Sequence, residues 1–460
     1  MADFTSFLAA FNGDIVTPSD TGYEHAISRW ALNAQRKAKV VAYVKNAEDI
    51  ALAIKHARVH MLPIAIKGGG HSAAGASSSE GGLIIDLSKY FDTATVDVER
   101  ELIRIGGGAV WATVDAAAIK EGFATVGGTI NHVYCLVLGG GYGWLSPAYG
   151  LALDNLVEVT IVTADGSVLV ANADSHVDLF WGVRGGGCNF GVCTEFVMKV
   201  HRQRATVFGG AIVFTPPLLP ALYEATQQWW KNGPSEKEGM YQIFTKDPGG
   251  NPCIVAALFY NGSEAEGRDN FKAFFDLEPV GGFCREMPYE QLNSLQNEFT
   301  PHGINYYING AYHHGPDLEL ATKFFARFTE LSANPDFQMN LIFEYISLDK
   351  ITSVPNDATA FVRGERGNIL ISTNWKEDSP ERSKLGKEMV HELVNLIHGH
   401  TGYRKKEEVG YGNYSSESTD GVAFDKAKIL FGENYPRLQG LKKRYDPEQI
   451  FSKWFPITPA

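Results

Sequence analysis

Proline and cysteine are scarce in this 460-residue chain, at 20 and five residues. With so little proline, the many glycines mark tight turns and close backbone approaches, not a low-complexity linker. The cysteines, Cys135, Cys188, Cys193, Cys253 and Cys284, are odd in number. Cys188 and Cys193 lack a second pair at zinc-site spacing, so reduced thiols are expected. No stretch reaches 18 apolar residues, which excludes a spanning helix and predicts no membrane partner. The start of the chain has no basic segment ahead of an apolar one, so a cytoplasmic protein without a signal peptide is expected. Positive charge is also in deficit. A net charge of -12 disfavours phosphate backbones and anionic surfaces, so no nucleic-acid partner is expected. The sequons at Asn261 and Asn413 carry little meaning without secretion.

What is present is ordinary globular composition, 44% hydrophobic and 20% charged, in a chain long enough for two or three domains. Its 48 glycines come in bursts, at Gly68–Gly70, Gly106–Gly108, Gly127 and Gly128, Gly139–Gly141 and Gly185–Gly187. All of these lie in the first 200 residues. Between them are strand-like runs at Val40–Val44, Leu62–Ile66, Leu83–Leu87, Leu102–Ile105, Val157–Thr163 and Ser167–Val170. Helical patterns over Ala47–Arg58 and Val110–Gly122 alternate with them, and the region reads as α+β.

From about residue 205 the pattern becomes strands at 208–214, 240–245, 253–260, 338–347 and 368–375. Amphipathic helices are expected at 217–232, 263–275, 316–333 and 379–399. This predicts a second domain, an antiparallel sheet with helices on one side. The tail, with a helix broken at Asp446 and Pro447, is expected to return to the first domain.

Several glycine and histidine motifs fail on context. Gly68, Gly70 and Ala73 match the dinucleotide fingerprint loosely, but no helix follows them. Gly386 and Lys387 continue into Glu388, so there is no P-loop, and His391 and Glu392 lack the second histidine of a zinc protease. No metal site is expected. The strand running through Lys67 into three glycines and His71 is different, because it can turn consecutive amides toward an anion such as a pyrophosphate.

The segments Lys67–Gly75, Gly82–Ser88, Leu138–Ser146, Tyr149–Asn155, Asp178–Gly191, Tyr411–Asn413 and Tyr445–Phe451 occur in one order. Together they closely resemble the berberine-bridge-enzyme-like branch of FAD-linked oxidases, in the vanillyl-alcohol oxidase superfamily, over nearly the whole chain. The resemblance implies a two-part PCMH-type FAD-binding domain, 1–200 with 405–460, and an inserted substrate-binding domain, 201–404. It implies FAD as cofactor, joined through a ring nitrogen of His71 to the flavin 8α carbon, and a small-molecule substrate with O2 as electron acceptor.

By the same resemblance the cofactor cradle comprises Lys67, Gly68, Gly69, Gly70, Ser72, Gly75, Gly128, Thr129, Gly139, Gly140, Gly141, Tyr142, Gly191, Val192, Tyr411 and Asn413. Asp154 and Asn155 fix either the loop or polar flavin atoms. Relatives with a second, cysteinyl link carry it where this chain has Gly128. A single attachment is therefore expected, and Cys135 is the alternative thiol in that loop. Asn131 falls near the expected oxygen-access position.

Tyr411 is the first candidate base, at the substrate face of the flavin. Tyr306, Tyr307, Tyr312, His313, Glu344 and Tyr345 are further candidates on substrate-domain strands, and alternation lets only one of Glu344 and Tyr345 face the flavin. Leu370, Ser372 and Asn374 carry no carboxylate on the strand where plant relatives often have a catalytic polar residue. The implied reaction is removal of a hydride from a C–H beside oxygen or nitrogen, with release of H2O2. A carbohydrate or alcohol oxidase, a flavin dehydrogenase and a binding protein without turnover are the alternatives.

Overall fold

The short β-branched runs of the first 100 residues are buried on both faces, the condition of parallel strands. In the computed structural model, which describes residues 7–132, 136–402, 410–416 and 426–460, they form one four-stranded sheet. It contains β1 (Asp14–Val16), β2 (Val40–Tyr43), β3 (Ile64–Lys67) and β4 (Leu83–Asp86), in the order β1-β2-β4-β3. β2, β4 and β3 run parallel, and β1 is antiparallel at the edge. Helix α1 (Ala47–Val59) makes the crossover from β2 to β3. Asn46 caps it by accepting from the Asp49 amide at 2.9 Å, and Ile50, Ala53, Ile54 and Ala57 form its buried face.

A second, antiparallel sheet joins β5 (Ala94–Asp97) and β6 (Leu102–Gly106) to three later strands. A two-stranded ladder pairs β7 (Phe123–Ala124) with a strand described below. The later strands of the second sheet are β8 (Leu156–Val162), β9 (Val168–Asn172) and β10 (Val192–Lys199), and the order is β5-β6-β10-β8-β9. The partner of β7 is β11 (His201–Arg202). Helix α2 (Trp111–Lys120) lies between the bursts at Gly106–Gly108 and at Gly127 and Gly128.

The third sheet is antiparallel throughout. Its strands are β12 (Thr206–Phe214), β13 (Glu238–Lys246), β14 (Pro252–Tyr260), β15 (Gly281–Pro288), β16 (Asn305–His313), β17 (Gln338–Ile346) and β18 (Gly367–Trp375), in the order β15-β12-β14-β13-β17-β18-β16. One face is covered by α3 (Leu219–Lys231), α4 (Leu318–Ser332) and α5 (Pro380–Thr401), which enclose a core including Phe244, Phe324, Phe328 and Phe343. The opposite face turns toward the glycine loops of the first 200 residues, and Tyr241 there stacks on Trp144 at 4.4 Å.

In the first part β1, β5 and β10 are strands beyond those expected from the sequence, and two details of the third sheet and its helices also depart from that reading. β15 is an additional strand at the sheet edge, where most of its side chains are exposed and leave little hydrophobic alternation. The expected helix at 263–275 is two pieces, Glu264–Asn270 and Lys272–Phe275, divided at the buried Phe271.

The tail helix α6 (Tyr435–Tyr445) is pinned by Lys442, whose fully buried ammonium donates to Asp446 and to the carbonyls of Asn189 and Phe451, each at 2.7 Å. Asn189 sits just after the Gly185–Gly187 turn, so the end of the chain closes on the first part. No helix among the described residues is long and apolar enough to cross a membrane.

Candidate functional site

β3 delivers Lys67 and then His71 at its carboxyl end. Gly70 and Gly75 take positive φ values, 71° and 80°, that let the loop turn back on itself. Among the described residues no protein acceptor meets the amides of Gly69, Gly70, His71 and Ser72. Beneath them Lys67 pairs with the fully buried Asp86 at 2.7 Å, and the buried Arg29 donates to the Ser77 carbonyl at 2.6 Å. Trp30 stacks on both His71 and Tyr306, at 4.1 and 3.9 Å between ring centroids. Nε2 of His71 is sealed from solvent and has no partner. Burial, reinforced by His132 and His302, holds its imidazolium well below the usual histidine range, so the ring is neutral at pH 7.

The second loop shows why its residues must be glycine. Gly140 and Gly141 have φ values of 124° and 94°. A Cβ on Gly140 would lie 2.8 Å from the Phe361 ring, and one on Gly141 2.4 Å from the Ala152 methyl. The Gly141 amide donates to the Tyr411 hydroxyl at 2.8 Å, and Asn413 Nδ2 donates to the same oxygen at 2.6 Å. Both donors favour a phenolate, but burial outweighs them and the Tyr411 phenol is pushed up. Thr129, on the adjoining loop, lies beside the Tyr241 hydroxyl of β13.

Glu344 faces this convergence from β17, directly across from Tyr241 in the β13 register. It is 3% exposed, accepts from the Tyr414 hydroxyl and from Asn368 Nδ2, and is pushed up to about 7 by burial. Tyr414 meets Tyr411 edge-on at 4.9 Å, and Tyr142 meets Tyr411 in the same way at 5.0 Å. The site is therefore a buried carboxyl group among phenols, beside the Gly139–Gly141 loop.

The structure brings together the Gly139–Gly141 loop, Tyr142, Tyr411, Asn413 and Glu344, and it gathers His71 and Gly70 with Trp30, Arg29 and His132. It does not bring Tyr345 or Tyr307 to them, because the two-residue strand period turns both into the helix-covered core. There Tyr345 contacts Tyr223, and Tyr307 bonds to His391 at 2.8 Å. His313 points the same way, against Tyr345. Tyr306 and Tyr312 lie on the opposite period, Tyr306 against Trp30 and Tyr312 beside Tyr411.

Other expected contacts are committed to the protein. The charge of Lys67 is met by Asp86. Asp154 forms a two-pronged ion pair with Arg363, at 2.6 and 3.0 Å. Asn155 binds the Tyr149 and Leu151 carbonyls and His201. These two residues fix the loop. Gly191 is needed where the chain passes Val162, since its Cβ would lie 2.4 Å from that carbonyl oxygen, and Val192 is core. Gly128 is buried, and Ser72 accepts from the Ala76 amide. Asn131 is bonded to Asn297. Cys135 lies outside the described residues.

Sequence reasoning missed Trp30, His132, His302, Tyr241, Asn368 and Tyr414. Only Tyr414 and His132 sit next to motifs it had singled out.

No cluster of three metal-ligating side chains occurs among the described residues. A flavin dinucleotide fits what is there. Buried polar atoms without partners, Nε2 of His71, Nδ1 of His132, the hydroxyls of Ser77 and Ser78 and Oδ1 of Asn368, flank or adjoin the glycine cradle. Such orphans are costly unless a ligand completes them. The open amides of residues 69–72 suit a pyrophosphate, and His71 and the Tyr411–Asn413 pair would hold the ring system.

The family described as FAD binding domain matches residues 38–172, and the one described as berberine and berberine like matches 411–455. The FAD-linked oxidoreductase pgmH of Aspergillus terreus is 31% identical, with 100% of this chain and 96% of that protein aligned. The (R)-6-hydroxynicotine oxidase of Paenarthrobacter nicotinovorans is 26% identical over 98% and 97% of the two chains. Among solved structures, 6-hydroxy-D-nicotine oxidase from Arthrobacter nicotinovorans superposes with a TM-score of 0.85 at 24% identity, covering 98% of each chain. Glucooligosaccharide oxidase from Acremonium strictum, which carries a 6-S-cysteinyl, 8α-N1-histidyl FAD, superposes with a TM-score of 0.85 at 21% identity, covering 100% of each.

Proposed function

The chain belongs to the FAD-linked oxidoreductases with a berberine-like C-terminal segment, and from that premise we propose that it is an oxidase of a small hydroxylated or amino-bearing aromatic metabolite. The observation that carries this reading is Glu344, a buried carboxyl group with an affinity for protons matched to neutral pH, facing the glycine cradle. When bound, FAD accepts a hydride from a C–H beside oxygen or nitrogen and passes the electrons to O2, giving H2O2.

The residues of this chain supply the rest. Glu344 takes the hydroxyl or amine proton of the substrate, and its own ionisation near neutrality makes it competent both to accept and to release that proton. Tyr414 and Asn368, which donate to its two oxygens, hold the carboxylate in place. Tyr411 receives two N–H donors at its oxygen, which leaves its own O–H to point at the substrate heteroatom. Tyr142, Tyr312 and Phe361 surround Tyr411 with aromatic surface against which a flat ring can pack. His71 carries the flavin as a single covalent link, and Gly128 leaves no thiol at the second position. The ends of the chain, 1–200 and 405–460, hold the cofactor, and 201–404 covers the substrate.

The test is anaerobic mixing of the purified protein with a panel of hydroxylated N-heterocycles, phenolic alcohols and oligosaccharides, monitored by loss of flavin absorbance. Bleaching by an aromatic compound, followed by recovery and peroxide on admitting air, supports the reading. Bleaching by oligosaccharides alone contradicts the substrate class, and recovery only with an artificial acceptor contradicts the oxidase.

A further inference from the structure

Gly367, the first residue of β18, stands opposite His313 of β16 in the ladder that joins those strands. A Cβ on Gly367 would fall on the imidazole of His313, so the missing side chain is the space the ring occupies. Through that gap the ring crosses β18 and reaches β17, where Nε2 lies 3.1 Å from the carbonyl oxygen of Glu344. The other nitrogen settles the tautomer. Nδ1 accepts the Gly315 amide at 3.0 Å, so the proton of the neutral ring is on Nε2 and is donated to Glu344. The ring is 1% exposed and meets Tyr345 edge-on at 4.9 Å. Burial pushes its affinity for protons down to about 4, which keeps it neutral at pH 7. The ladder between β17 and β18 runs in register from Gln338 with Asn374 to Phe343 with Ile369, and Glu344 comes just past its end. Asn368, next to Gly367, donates to the Glu344 carboxylate at 3.0 Å. One residue of this dipeptide opens a path to the backbone of Glu344, and the other holds its side chain.

We infer that His313 is a positioning residue for Glu344: through the gap left by Gly367 it fixes the backbone of that residue, so that the carboxyl group stays between the Tyr414 hydroxyl and the Asn368 amide. This rests on the reading of Glu344 as the base of the site. A base works at a fixed distance and orientation, and a displacement of about 1 Å costs about a hundredfold in rate. His313 acts through the main chain from the helix-covered face, while the carboxyl group turns to the opposite one. Its N–H also places the positive end of a dipole beside the residue that carries the charge, which favours the carboxylate. The groups facing that carboxyl group are the phenols of Tyr414, Tyr241, Tyr411 and Tyr142 and the Asn368 amide. Burial holds all four phenols above their usual range, so they stay neutral near pH 7 and a change at His313 is read through Glu344.

The experiment follows the carboxyl group itself. Infrared difference spectra of the full-length, FAD-loaded protein are recorded across pH 5.5–9, and the protonated carboxyl band of Glu344 is assigned by its loss in Glu344→Gln. The expected result in wild type is one narrow band titrating near pH 7. His313→Leu and Gly367→Ala should each broaden the band and raise its midpoint by about half a pH unit. His313→Gln, whose amide can donate from the same place, should keep both properties. The double variant should behave like either single one, because both remove the same contact. Urea denaturation checks that each variant is folded, and His313→Leu decides alone if Gly367→Ala is not. A wild-type band in His313→Leu, or effects that add in the double variant, overturns the inference and leaves Glu344 as the base. No carboxyl band titrating near neutrality in wild type, or one that survives in Glu344→Gln, removes the reading of Glu344 and the inference with it.

Discussion

Glu344 gathers the chemistry of the site into one side chain. Replacing it with glutamine keeps both hydrogen-bond partners within reach but removes the base, so kcat should fall by about a hundredfold to ten-thousandfold while flavin content is unchanged. The rate of flavin reduction in wild type should climb as pH passes about 7, the value to which burial pushes Glu344, and level off above it. In Glu344→Gln that rise should vanish, as rapid-mixing absorbance across pH 5.5–9 can show. The same shift affects stability in a definite direction. Because the folded value lies above the unfolded one, the folded state holds the proton more tightly, and stability is lost as pH rises from the unfolded value through about 7. Glu344→Gln should therefore melt above wild type at pH 8, with the gap closing toward pH 4. Strand alternation in the sequence allowed only one of Glu344 and Tyr345 to face the flavin, while the family resemblance put Tyr411 ahead of both as the base. Trp30 and Thr300 were not legible, because they meet 270 positions apart and neither carries a motif.

The glycine loops are elements whose form follows from backbone constraint. Gly141→Ala combines a positive φ with a methyl 2.4 Å from Ala152, whereas Gly122→Ala, at φ 77°, meets nothing within 4 Å. The first should cost about 1–3 kcal/mol or more and reduce flavin occupancy, and the second only the backbone strain of about 1 kcal/mol. Urea melts and the flavin-to-protein absorbance ratio separate the two outcomes. These loops were legible because their glycine bursts interrupt β-branched strands. The edge strand β15 was not, because an edge exposed on both sides leaves no pattern of burial to read.

At the scale of the whole molecule, the first part and the sheet domain are joined by buried charge. Arg363 sits between β17 and β18, is 9% exposed, and grips Asp154 beside the Gly139–Gly141 loop. Arg363→Met would leave that carboxylate buried with the Leu151 amide as its remaining donor. The expected loss is about 3–5 kcal/mol in urea denaturation, with Arg363→Lys intermediate. The texture change near residue 205 made the third sheet visible in the sequence, since β12 begins at Thr206. The joint itself was hidden: Arg363 and Asp154 are separated by 209 positions, and Asp154 reads equally well as a turn cap.

The central claim is that this chain carries its flavin on His71. Trypsin would release residues 68–89 as one peptide and residues 121–184, with Cys135, as another. Mass analysis of the acid-precipitated, digested protein should find the flavin on the first peptide, and on none in His71→Ala. Flavin released entirely to the acid supernatant, or found on the peptide bearing Cys135, would contradict the account.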